Sequence, residues 1–177
     1  MMSKKLNNSG YCLFSSSIGT CGIAWSGTLI TFLQLPESTE ASTRKKISKR
    51  SQAQFVKSPP SAIKNIIAKI QLHLSGQMQD LTRATVDFNK STAFQCLVYK
   101  TVAKIPSGEV LTYQQVAKLI GRPQSARAVG NALGKNPVPL LTPCHRVVGK
   151  SKNSGGFTAY GGLSLKEKIL KIEGADC

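Results

Sequence analysis

The 177-residue chain predicts an α+β fold, and three observations carry that expectation. From Tyr11 to Leu35 the residues fall into short apolar and β-branched runs broken by turn residues, the patterning of strands. Between Pro60 and Leu74, Ala62, Ile63, Ile66, Ile67 and Ile70 recur at helical spacing. Beyond Ser91 the pattern is helical throughout, with two short helices set around Gly121-Arg122-Pro123. The expected arrangement is a small N-terminal antiparallel sheet with a helix, residues 1–90, and a C-terminal helical domain, residues 91–177. The boundary falls near residues 88–92.

Taken in order, the first nine residues are polar and read as frayed. Tyr11–Ser15 and Cys21–Ser26 read as two strands around a Ser-Ile-Gly turn, and Thr28–Leu35 as a third after Gly27, together a meander. The basic run Arg44-Lys45-Lys46-Ile47-Ser48-Lys49-Arg50 suits a solvated helix face or a flexible loop; an arm for nucleic acid is the weaker reading. Ser58-Pro59-Pro60 stops that segment and starts the Pro60–Leu74 helix. His73, near its end, reads as structural or solvent-facing. An extended piece, Thr85–Phe88, would close the sheet. Phe94, Leu97, Val98, Thr101 and Val102 then form one face of a helix that runs to Lys104 and ends at Ile105-Pro106.

Thr112 suits the N-cap of a helix through Ile120, with Val116, Ala117, Leu119 and Ile120 facing inward. Ser125 would cap a second helix to about Leu133, with Ala126, Val129, Gly130 and Leu133 as the buried stripe. Arg127 and Asn131, one turn apart, point outward. Two short helices around a glycine-bearing turn form the helix-turn-helix pattern. A helical hairpin with no ligand has the same periodicity.

Charge narrows the class of partner. Lysine and arginine number 24 against 8 acidic residues, a net charge of +16. Each half, split at residue 90, carries 12 basic and 4 acidic residues, so the excess is not a tail. Such a balance favours a polyanion, because neutralising phosphates releases condensed counterions. The cysteines, Cys12, Cys21, Cys96, Cys144 and Cys177, are odd in number, irregularly spaced and without a Cys-x-x-Cys. They argue for a reducing compartment and give no support for a disulfide scaffold or a metal. No signal-peptide pattern follows Lys4 and Lys5, and no apolar run approaches a membrane span, so a cytoplasmic location is expected.

The most reactive feature is Pro143-Cys144-His145-Arg146-Val147, which sets a thiol beside one of only two histidines. A nucleophilic cysteine acts as its thiolate, and an adjacent imidazole can generate one. Buried cysteines are more often small hydrophobes, so the dipeptide alone does not decide.

The surrounding stretch, Asn136-Pro137-Val138-Pro139-Leu140-Leu141-Thr142-Pro143-Cys144-His145-Arg146-Val147, resembles the active-site signature of the O6-alkylguanine-DNA alkyltransferases. The likeness extends over Gly108–Ala117, Ser125–Ala132, Gly161-Gly162-Leu163 and Ile172-Glu173-Gly174, in the family's order. The resemblance implies an RNase H-like N-terminal unit and a C-terminal unit of winged helix-turn-helix type. It implies duplex DNA containing O6-alkylguanine as partner, a monomer, no cofactor, and transfer of the alkyl group to Cys144. His145 would be the base, acting through a water, and Glu173 the acid that orients it. Tyr113 would protonate the leaving guanine, and Asn136 would brace the Cys144 segment. Arg127 would fill the stack vacated by the flipped base, with Asn131, Ser125, Ala126, Gly130, Thr112 and Gln114 as further DNA contacts. Val147, Val148, Ala159, Tyr160 and Gly161 would wall the base pocket. Some relatives carry a structural zinc in the N-terminal half; no ligand set for one is evident here.

One departure is Tyr160, where many relatives have a small residue before the paired glycines. A ring there could narrow the pocket against large alkyl groups. A thioether on Cys144 is a poor leaving group, so the protein should act once. Three other classes compete: a non-catalytic damage sensor, which Cys144 argues against; a promoter-reading regulator, which gives Cys144 no task; and a cysteine hydrolase, which leaves Arg127 and the charge unexplained.

Overall fold

The computed structural model describes residues 9–150 and 156–175. The expectations for the first eight residues and for Cys177 lie outside them. Strands β1 (Ser9–Ser16), β2 (Gly19–Ser26) and β3 (Leu29–Gln34) form an antiparallel meander in the order β1-β2-β3. Each strand extends to within two residues of the expected bounds. Alternation gives the sheet two apolar faces. Tyr11, Ala24 and the flanking Leu13 and Phe32 meet Ile47 on one side. Cys12, Phe14, Cys21, Ile23, Trp25, Ile30 and Leu33 meet Ile63, Ile70 and Leu74 on the other.

Helix α1 (Glu40–Ser51) covers the first face and resolves the basic run as a helix and not a loop. Thr39 caps it, its side chain accepting from the Ser42 N–H at 3.1 Å. Most of its cations face solvent, while Ile47 turns inward so closely that a Cβ on Gly22 would stand 2.9 Å from its Cδ1. Helix α2 (Ser61–Leu74) covers the second face, beginning after Pro60 as expected. The Thr85–Phe88 segment adds only a one-residue parallel bridge, Ile30 to Val86, on the free edge of β3. Ile30 N donates to Thr85 O and Asp87 N to Ile30 O, both at 2.9 Å.

Helix α3 (Ala93–Val102) opens on a capping box between Thr92 and Gln95. Strand β4 (Leu111–Thr112) leads into α4 (Tyr113–Leu119), and α5 (Ala126–Gly134) follows the turn. Val98, Tyr99 and Val102 of α3 pack with Val116 and Ala117 of α4 and Val129, Ala132 and Leu133 of α5. The Tyr99 hydroxyl donates to Ala132 O at 2.9 Å, which pins α3 to α5. Three expectations fail here. Leu119 is 65% exposed, because α4 ends before its phase returns to the core. Ala126 and Gly130 line a cleft, and Ala132 takes the buried place. Ser125 occupies the N-cap position of α5, but its side chain makes no capping bond, since its backbone (φ −101°, ψ 20°) is not extended.

After α5 the chain crosses to the N-terminal sheet. Leu33 N donates to Pro137 O at 2.9 Å, and Val138, Leu140 and Leu141 sink into the sheet–α2 core. Leu140 takes φ +73°, a left-handed conformation that a branched side chain adopts only under tertiary constraint. A short 3₁₀ turn (Cys144–Arg146) and β5 (Val147–Val148), parallel to β4, come next. Helix α6 (Gly162–Ile172) ends the fold, with Lys166, Ile169 and Leu170 buried on one face. Among the described residues no helix is long and apolar enough to cross a membrane.

Candidate active site and nucleic-acid interface

The loop from Asn136 to Pro143 holds the thiol. Asn136 Nδ2 donates to Thr142 O at 2.8 Å, and its Oδ1 accepts from Val138 N at 3.1 Å. Thr142 N returns to Val138 O at 2.9 Å, and Cys144 N donates to Thr142 O at 2.7 Å. One buried amide thus ties both ends of the loop, and the half-buried Cys144 is left at the wall of a cleft of about 520 Å³. The cleft is lined by Tyr113, Arg127, Gly130, Asn131, Cys144 and Phe157, with further residues of α5 and the 156–158 segment.

Behind the thiol lies a buried charge network. His145 Nε2 and His73 Nε2 sit 3.0 Å and 2.8 Å from the same atom, Glu173 Oε1. Arg146 closes on both carboxylate oxygens, Nε to Oε2 at 2.8 Å and Nη2 to Oε1 at 2.7 Å. Its other N–H groups reach Ile105 O and Ser107 Oγ. Gly108, at φ +84°, lets this corner close: a Cβ there would stand 3.3 Å from Glu173 O. A carboxylate only accepts, so both imidazoles present Nε2–H to it. For His73 the tautomer is fixed twice, because its Nδ1 accepts from Gln79 N at 3.2 Å. His145 Nδ1 has no hydrogen-bond partner in the protein among the described residues, and as the unprotonated nitrogen it is a base.

The family model described as "6-O-methylguanine DNA methyltransferase, DNA binding domain" matches residues 93–175. The methylated-DNA–protein-cysteine methyltransferase of Methanothermobacter thermautotrophicus is 37% identical over 153 residues, 86% of this chain and 78% of that one. That of Mycobacterium tuberculosis is 33% identical over 92% of this chain and 91% of its own. The chain belongs to the methylated-DNA–protein-cysteine methyltransferase family. The fold agrees with this: the crystal structure of the M. tuberculosis O6-methylguanine methyltransferase superposes with a TM-score of 0.77 at 32% identity, covering 94% of this chain and 93% of that one. A structure of the M. tuberculosis protein in complex with DNA superposes equally well, at 30% identity over 93% and 92% of the two chains.

Within this methyltransferase fold, burial sets the protonation states. Burial pushes the Cys144 thiol above its ordinary value, outweighing the Asn136 side chain, the Lys166 charge and the local N–H groups that pull it down. The resting side chain is a thiol. Burial also holds His145 below the usual imidazole range, against the upward pull of Glu173, so it is neutral and able to accept. For Glu173 burial acts to raise the pKa, but hydrogen bonds from His145, His73 and Arg146 outweigh it and hold the carboxyl well below the usual range. Burial raises the Tyr113 phenol, which stays protonated at the cleft.

The expected site residues divide. Cys144, Tyr113, Arg127, Asn131, Ala126 and Gly130 meet at the cleft, with Asn136, His145 and Glu173 behind it. Thr112 caps α4 in a capping box with Gln115, which sets Tyr113 as the first helical residue. Gln114 Nε2 donates to Pro123 O at 2.7 Å and braces the turn between the helices. Val147 and Val148 do not wall the cleft; β4 pairs with them and both are buried. Ala159 packs against the N-terminal core, and Gly161 is the left-handed N-cap of α6. Tyr160 is 55% exposed, and its ring does not line the cleft and so does not narrow it. The segment that does line it is Gly156–Thr158.

Two residues of the network had no assigned role in the sequence. Arg146 sits inside the quoted signature, and its charge in an apolar run was the available signal. His73 is buried, which bears out the structural one of its two readings and not the solvent-facing one, but its partner Glu173 could not be read from the chain. Among the described residues no group of histidine, cysteine and carboxylate side chains is arranged to hold a metal ion.

Proposed function

We propose that the protein repairs duplex DNA by moving the alkyl group of O6-alkylguanine onto Cys144, once per molecule. The observation that carries this reading is that Cys144 shares one cleft with Tyr113 and with the exposed Arg127 and Asn131 of α5. A target base turned out of the duplex would enter that cleft, and Arg127 would occupy the gap it leaves. Base entry brings Tyr113 onto the purine.

In the reaction the Cys144 proton passes to His145 Nδ1, by way of a water. The thiolate attacks the alkyl carbon: the S–C bond forms, the C–O6 bond breaks, and its electron pair stays on guanine. The Tyr113 hydroxyl hands a proton to the guanine as it leaves, and the proton on His145 restores the phenol through solvent. The net change is thiol plus alkylguanine to thioether plus guanine. Glu173, held ionised by three donors, steadies His145 while it is a cation. The thioether has no good leaving group, so the step is not reversed. A single chain holds every group this requires, which suits action as a monomer.

Excess duplex carrying one O6-methylguanine, followed by intact and peptide masses, tests the reading. One added methyl on the Cys144 peptide, restored guanine and no second turnover are expected. Tight binding without mass gain would replace transfer with damage sensing, and turnover on esters would favour a hydrolase.

A further inference from the structure

Outside the reactive cleft, a second cavity of about 510 Å³ opens where the end of α1, the stretch before α3 and the residue after α5 meet. Three cations line it, Arg50, Lys90 and Lys135, against a single acid, Asp87. Among the described residues none of the three cations forms an ion pair. Asp87 turns Oδ1 to its own turn, accepting from Asn89 N at 2.9 Å.

Arg50 is the most constrained of the three. It is half-buried, its Nη1 donates to Gln34 Oε1 at 3.3 Å, and its guanidinium stands 5.1 Å from the Phe32 ring centre. Burial draws its pKa down, and the charge of Glu37, which forms an ion pair with Lys46, offsets this only in part. A cation partly removed from water without a direct ion pair is costly, and an entering anion offsets that cost. The arginine fork and two lysine point charges match the tetrahedral oxygens of a phosphate. Ser51 and Ser91 also line the cavity, and a serine hydroxyl can add a neutral donor.

Position ties this cavity to the first. Gly134 lines the reactive cleft and its chain neighbour Lys135 lines the second cavity, so the two flank the C-terminal end of α5. We infer that the second cavity seats a backbone phosphate of the DNA engaged by α5, which brings the end of α1 into the nucleic-acid footprint. This rests on the reading of the cleft as a DNA alkyl-transfer site. It also gives the basic run of α1 a task that its exposed cations alone did not define.

The test compares two charge-matched variants. Arg50→Gln/Lys90→Gln/Lys135→Gln alters the cavity, and Lys57→Gln/Lys64→Gln/Lys69→Gln removes three exposed lysines on and before α2. Duplex affinity is measured across a salt series for both. The cavity variant is expected to lose about 0.9 more of the slope of log Kd against log salt per phosphate released. Transfer from a free O6-alkylguanine base, which carries no phosphate, should keep its wild-type rate in that variant. Trp25, the single tryptophan, lines the cavity and reports occupancy by fluorescence. Duplex should change it at concentrations where inorganic phosphate does not.

Equal slopes for the two variants would overturn the inference. Saturation by inorganic phosphate together with equal slopes would leave a small-anion site and no DNA contact. A wild-type protein that moves no alkyl group from duplex or free base would overturn the reading of the cleft, while the salt slopes would still decide the cavity.

Discussion

Glu173 ties together His73 of α2, His145 and Arg146 of the 3₁₀ turn, and its own place at the end of α6. It stands at the end of α6, where a negative charge meets the unfavourable end of the helix dipole. Two imidazoles and a bidentate guanidinium reverse that disadvantage. Replacing it by Gln removes the charge and leaves Arg146 buried without a counter-ion. Losing one partner of a buried pair costs about 3–5 kcal/mol. Glu173→Gln should therefore lower the urea unfolding midpoint strongly as well as slow transfer. A stability change within about 0.5 kcal/mol, the size of an ordinary surface substitution, would show that the network is not carrying the corner. His73 shares this role from the N-terminal half, so the Glu173 carboxylate is held partly by α2.

At the scale of elements, α4 and α5 divide the work between packing and reach. Val116, Ala117, Val129 and Leu133 bury the inner stripe, which follows from helical spacing and was legible in the sequence. Arg127 and Asn131 lie on the face that the same spacing turns outward. Arg127→Ala touches none of the buried stripe, so its thermal midpoint should match wild type. Its transfer from duplex should fall sharply while transfer from a free alkylguanine base persists. Parallel loss on both substrates would place Arg127 in the chemistry and not in opening the duplex. Ser125 shows the limit of local reading: the residue type suits a cap, but the tight turn from Pro123 leaves its backbone unsuited to offer one.

Across the whole molecule, buried titratable groups set the pH window of stability. His145 has a folded pKa below the ordinary 6.5, so the unfolded chain binds the extra proton and stability falls as pH drops below that value. Glu173 is depressed from 4.5, so its contribution is present above 4.5 and is lost as pH falls further. Cys12 and Cys21 are pushed by burial to about 11 from 9.0, so stability they provide below 9.0 is lost as pH rises toward 11. Urea midpoints should thus form a plateau near neutral pH, with an acid limb in two stages and an alkaline limb above 9. A plateau that continued unbroken to pH 5 would contradict the buried neutral His145.

The sequence by itself determined the elements and the chemistry carried by adjacent residues. The strand meander, the α2 and α3 phases, the Thr112 cap and the Cys144-His145 pair all depend on spacing within one stretch of chain. The link from the Cys144-His145 pair to Glu173 and Tyr113 was legible only through resemblance, since no local rule links residues so far apart. The tertiary structure alone decided who shares Glu173, which valines face the core and which loop walls the cleft. His73 lies 100 positions from Glu173, and Arg146 lies 27 from it. Such meetings depend on how α2 and α6 pack against a common core, and no period along the chain records that.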